Sequence, residues 1–115
     1  MAGYLVYTTT ATEEDALRLG RAVVGEHLAA CANVVPGMTS IYPWRGRVQE
    51  DPEALLLLKT TDTRLAALLA RIRELHPYEL PAINAVRVEQ GLGEYWDWVK
   101  TWVESTPPPS GPTPP

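Results

Sequence analysis

The sequence predicts one α+β domain, and three observations carry that prediction. The chain opens on a run of aromatic and β-branched residues, Tyr4-Leu5-Val6-Tyr7-Thr8-Thr9, which reads as a strand. Two later stretches repeat apolar side chains at helical spacing, each marked by a start or a stop signal. The remaining segments are cut by turn formers at Pro36-Gly37, Arg45-Gly46, Gly91 and Gly93. The 115 residues suit one domain. A domain of that size buries roughly two thirds of its unfolded surface, enough for a core without disulfides.

After the first strand, Thr12 is placed to cap a helix. Glu13, Glu14 and Asp15 then fall in its first turn, where the helix dipole favours carboxylates. Ala16, Leu19, Gly20, Val23, Val24, His27 and Leu28 make its apolar stripe, and the helix is expected to end near Ala29 or Ala30. Gly20 lies on the stripe and suits a close approach to a sheet. Residues 31–44 are extended in character, with Pro36-Gly37 favouring a type II turn or a bulge; on the residues alone they read as two short strands. The unbroken run Ala54-Leu55-Leu56-Leu57-Leu58 means a strand buried on both faces or a helix, and helix propensity favours the helix.

A second helix is expected over 62–75, with Leu65, Leu68, Leu69, Ile72 and Leu75 as its stripe. Pro77 stops it by pushing His76 out of the helical region. Residues 82–89 read as a strand of imperfect alternation. A last helix places Leu92, Tyr95, Trp96, Val99, Trp102 and Val103 on one face, with Trp98 partly outside it. Residues 106–115 carry six prolines and should be extended or disordered, so the folded domain is expected to span residues 1–105.

Composition excludes several function classes. The net charge of -4 argues against a general nucleic-acid binder, which needs a basic stripe to neutralise phosphates. No apolar run reaches the roughly 18 residues of a membrane span. A single cysteine allows no internal disulfide and fits a reducing compartment. With a strand at the start and no signal-peptide core, a cytoplasmic protein is expected. No nucleophile constellation, phosphate loop or zinc ribbon is present, so no enzyme is expected.

His76 and Cys31 are the candidate metal ligands. His76 stands between a helix end and the pair Pro77 and Pro81, with Tyr78 and Glu79 beside it. An imidazole next to a carboxylate suits copper, zinc or another divalent ion. The competing reading is a helix C-terminal histidine favoured by the dipole. Cys31 offers a soft thiolate for Cu(I) or zinc, against the commoner fate of a buried, inert cysteine. His27 lies four residues before Cys31 and reads as a structural histidine. Tyr42, Trp44, Lys59, Tyr78 and Trp98 combine aromatics with a charge, as subunit contacts and ligand clefts both do.

Four fragments taken together identify a family. Ala30-Cys31-Ala32-Asn33, Ser40-Ile41-Tyr42-Pro43-Trp44-Arg45-Gly46, Lys59-Thr60 and His76-Pro77-Tyr78-Glu79-Leu80-Pro81, followed by Tyr95 and Trp98, resemble the CutA family of divalent-cation tolerance proteins in order and spacing. The resemblance runs from Tyr4 to Val103. It implies one long bent strand at 31–44 and a strand, not a helix, at 53–60. The element order is then β-α-β-β-α-β plus a C-terminal helix, the split βαβ or ferredoxin-like arrangement. Two helices cover one sheet face and leave the other apolar.

The resemblance implies a homotrimer whose hairpin, residues 31–60, reaches a neighbour's sheet, with the cleft residues lying between subunits. It implies a non-enzymatic role in the response to metal ions, with divalent cations as partners and neither nucleic acid nor membrane. Relatives with proposed copper ligands carry a cysteine at the end of the first strand and paired histidines before Pro-Tyr. The matching positions here are Thr8 and Leu75, with only His76 kept. A weak copper or zinc site drawing on His76, Glu79 and Cys31 is the remaining expectation. The alternative is a signalling module resembling the PII regulators, binding a small metabolite in the clefts between subunits.

Overall fold

Seven elements follow one another in the computed structural model, which describes residues 2–105: β1 (Gly3–Thr10), α1 (Glu13–Gly25), β2 (Cys31–Trp44), β3 (Arg47–Thr61), α2 (Asp62–Leu75), β4 (Ile83–Arg87) and α3 (Gly93–Glu104). The Pro-rich segment 106–115 lies outside the described residues. The strands form one antiparallel sheet in the order β2-β3-β1-β4, the split βαβ arrangement. Among the described residues no helix is long and apolar enough to cross a membrane.

The period-two alternation of the strands separates two faces. Val6, Thr8 and Thr10 of β1 and Ala54, Leu56, Leu58 and Thr60 of β3 are buried, and the apolar ones pack against Ala16, Leu19 and Val23 of α1 and Leu68 and Ile72 of α2. Leu55 and Leu57 point the other way and are only half-buried. The run Ala54–Leu58 is thus a strand. Leucine helix propensity is overridden because both faces of a central strand offer apolar burial, worth about 1.5–3 kcal/mol per leucine.

The face opposite α1 and α2 also carries Tyr7, Val35 and Val86, all exposed, while α3 reaches it at one end, with Trp96 over Gly3 and Tyr95 near Lys59. Gly20 sits where α1 crosses the sheet. A Cβ there would come within 3.1 Å of the Ala32 side chain, so the close approach needs the missing methyl.

Thr12 caps α1 as expected, accepting from the Asp15 amide at 3.1 Å. The helix stops earlier than its stripe suggests, at Gly25. His27 adopts φ 62°, and the amides of Leu28 and His27 donate back to the carbonyls of Val23 (2.9 Å) and Val24 (3.1 Å). This is a Schellman stop with histidine in the place usually held by glycine. The His27 ring offsets the backbone cost: it is buried, stacked on Trp102 at 3.7 Å, with Nδ1 2.9 Å from the Trp102 carbonyl oxygen.

Residues 31–44 are one strand, bent by a bulge between Val35 and Met38 where Gly37 takes φ 76°. The chain turns at Arg45 (φ 52°) and Gly46 (φ 79°), both left-handed, as in the type I′ hairpin turn. β3 begins at Arg47, six residues before the expected Glu53, because Arg47–Glu53 continue the ladder with Met38–Trp44. β1 stops pairing at Thr10–Ala54. The far half of the hairpin is therefore a two-stranded arm projecting past the sheet. The final helix α3 buries Val99 and Val103 against Ala30, with Tyr95 and Trp96 half-buried. Leu92 is its N-cap and stays exposed, so it is not on the packed face.

Candidate functional site

The arm and the sheet meet at a cleft. Beyond Thr10 the arm has no β1 partner, and the loop after α2 folds alongside it. The space between is about 610 Å³, lined by Thr9, Tyr42, Trp44, Glu53, Tyr78 and Glu79 among others. That volume falls within the range of small-molecule sites.

Two phenols donate to carboxylates at this place: Tyr78 to Glu53 Oε2 at 2.5 Å and Tyr42 to Asp51 Oδ2 at 2.5 Å. The Tyr78 phenol is pushed well above its ordinary value, first by burial and then by Glu53, with Asp15 adding to the effect. The Tyr42 phenol is raised chiefly by its hydrogen bond to Asp51. Neither Glu53, Asp51 nor Glu79 has a basic partner among the described ion pairs. Arg45 stands 5.7 Å above the Trp44 ring.

His76 organises the loop that forms one wall. It caps α2 with its amide on the Ile72 carbonyl, and it is 7% exposed. Its Nε2–H donates to the Thr9 carbonyl at 2.8 Å, and its Nδ1 accepts from the Tyr78 amide at 3.1 Å. This requires the neutral ring with its proton on Nε2. Both nitrogens are taken, so no lone pair is left for a metal in this arrangement.

Cys31 lies elsewhere. It pairs with Lys59 across β2 and β3, and Lys59 pairs onward with Leu5, whereas Thr9 pairs with Leu55. The thiol and the imidazole thus belong to different ends of the sheet. The Lys59 ammonium donates to Asn33 Oδ1 at 2.6 Å and stands 3.7 Å from Cys31 Sγ, with the Tyr95 ring centroid at 6.0 Å. Burial, with Cys31 next, raises the Tyr95 phenol.

The expected set His76, Glu79 and Cys31 is therefore not assembled within one chain. Among the described residues no three His, Cys, Asp or Glu side chains converge as a metal site. The expected cleft set divides too. Tyr42, Trp44 and Tyr78 line the cleft, while Lys59 joins Cys31. Trp98 is exposed on α3, 5.7 Å from Tyr95, beside a shallower hollow shared with Val24 and Trp102. Glu53, a glutamate after Pro52, carries no signal in the sequence; it reaches the cleft because β3 runs on past its last β1 pair, Thr10–Ala54, to where Tyr78 of the loop after α2 donates to it.

The family model for the CutA1 divalent ion tolerance protein matches residues 4–102. The divalent-cation tolerance protein CutA of Thermus thermophilus is 48% identical over 96 residues, covering 84% of this chain and 93% of that one. The human protein CutA is 42% identical over 99 residues, 86% of this chain but 55% of the longer human sequence. Among solved structures, the Thermus thermophilus divalent cation tolerance protein superposes with a TM-score of 0.83 at 46% identity, covering 87% of this chain and 97% of that one. CutA from Xylella fastidiosa gives a TM-score of 0.86 at 38% identity, covering 89% and 98%. The fold, the motif positions and these similarities agree, and the chain belongs to the CutA1 divalent ion tolerance family.

Proposed function

We propose that the protein serves divalent-cation tolerance as a cytoplasmic, non-enzymatic homotrimer that binds copper or zinc weakly. The observation that carries this reading is the family match over residues 4–102. Assembly is supported by the sheet face opposite α1 and α2, where Leu55 and Leu57 stay half-buried beside exposed Tyr7, Val35 and Val86. The unpaired β3 edge along Arg47–Glu53 supports it too, since an open edge invites a strand from another copy. A single half-buried cysteine fits a reducing compartment.

The cation is held through Glu79 and Glu53 with groups from a neighbouring subunit, because His76 and Cys31 are engaged elsewhere. Calorimetric titration of Cu(II) and Zn(II) tests this. Glu79→Gln should lower the heat and His76→Ala should leave it intact; no heat above background in the wild type removes the metal site. Light scattering at micromolar concentration tests the trimer, and a folded monomer there overturns it.

The cleft itself favours a second reading, a PII-like module that binds a small metabolite at the arm. A response of Trp44 fluorescence to one member of a nucleotide and metabolite panel supports it, and a flat response across the panel counts against it.

A further inference from the structure

We propose that the cleft between the hairpin arm and the loop after α2 is a binding site for a small organic cation, an alkylammonium or guanidinium group attached to an apolar body. The inference rests on the small-ligand reading of the cleft; it shares Glu53 and Glu79 with the metal reading, and the chelator in the test separates the two. Three features of the cleft argue for this class.

Its walls are aromatic and apolar, with Tyr42, Trp44, Tyr78 and Leu80 among them, while its charged groups are the carboxylates Glu53 and Glu79. Aromatic faces with carboxylates, and no Lys or Arg among the lining residues, are what an organic cation needs. The Arg45 guanidinium lies 5.7 Å from the Trp44 ring centroid, a contact of the kind an organic cation makes with an indole.

The surrounding field is negative as well. Asp51, two positions before Glu53 on β3, accepts from the Tyr42 hydroxyl and adds a further carboxylate beside that wall. Tyr78 occupies only one oxygen of Glu53, so the other is left to accept from a ligand N–H.

The test is calorimetric titration of the assembled protein with 2-phenylethylamine in the presence of a chelator that removes metals. The neutral analogue 2-phenylethanol and the anion phenylacetate serve as controls. The amine should give a saturable heat that neither control gives. Glu53→Gln keeps a carbonyl acceptor for the Tyr78 hydroxyl, and Glu79→Gln changes an exposed side chain, so both variants should fold. Each should weaken the amine at least tenfold.

No saturable heat, equal binding of the alcohol, or affinity unchanged in both variants would overturn the proposal. Preferential binding of an anion such as a nucleotide would also overturn it while keeping the small-metabolite reading. The zinc and copper titrations, run without chelator, stand or fall separately.

Discussion

His76→Ala separates a structural histidine from a metal ligand. The ring contributes two hydrogen bonds, at 2.8 Å to the Thr9 carbonyl and 3.1 Å from the Tyr78 amide, and packs on the Tyr78 ring at 4.7 Å. Each hydrogen bond is worth about 1 kcal/mol net, and the ring contact adds about 0.5–1.5 kcal/mol. The site is buried, so the abandoned amide and carbonyl are not readily rescued by water. The loss should total about 2–4 kcal/mol. With a urea slope of about 1–3 kcal/mol per M, the midpoint should fall by roughly 0.7–4 M.

Urea unfolding at equal protein concentrations is the assay, because the midpoint of an oligomer depends on concentration. His76→Asn should recover part of the loss, since its amide oxygen can replace Nδ1 as acceptor for the Tyr78 amide. A midpoint unchanged by His76→Ala, together with loss of the zinc or copper heat, would refute the reasoning and restore His76 as a ligand.

Three other outcomes follow from the same geometry. Tyr78 should ionise later than the other tyrosines in a phenolate absorbance titration. Because its folded value is raised, the stability it contributes is complete below the ordinary tyrosine value near 10 and is lost as pH rises beyond it. Glu53→Gln should bring its titration to lower pH; no movement would mean that burial alone holds the phenol. Arg45→Asn at the left-handed turn position should stabilise the hairpin by about 0.5–1 kcal/mol in thermal unfolding, and destabilisation would mean that the Arg45–Trp44 contact outweighs the backbone strain. Gly3→Ala would bring a methyl to 2.5 Å from the Trp96 ring, so it should cost about 1–3 kcal/mol, read as a lower melting temperature with weakened protection of α3 amides.

Local rules were enough wherever one element decided its own shape. The Thr12 cap, the span of α2 and the buried stripe of α1 follow from spacing, capping and the effect of Pro77 on the residue before it. They fail where tertiary contact outvotes them. The α1 stripe continues through His27 and Leu28, yet the helix ends at Gly25 because His27 turns left-handed to stack on Trp102, 75 positions away. Residues 47–52 carry charges and a proline that argue against a strand, and only the partner strand from Met38 to Trp44 makes them one.

The site was legible as motifs and not as a geometry, and the reason is register. Cys31, Asn33, Lys59 and Tyr95 come from three sequence fragments, and cross-strand pairing together with the seat of α3 draws them into one cluster. His76 sits three positions from Glu79 in sequence, which invites a shared metal. The fold instead turns the imidazole inward to hold the loop and leaves Glu79 in the cleft. A pattern of residue types states which chemistries are on hand. Which of them can meet a ligand depends on what the backbone has already claimed, and here it has claimed both nitrogens of the one histidine beside the cleft.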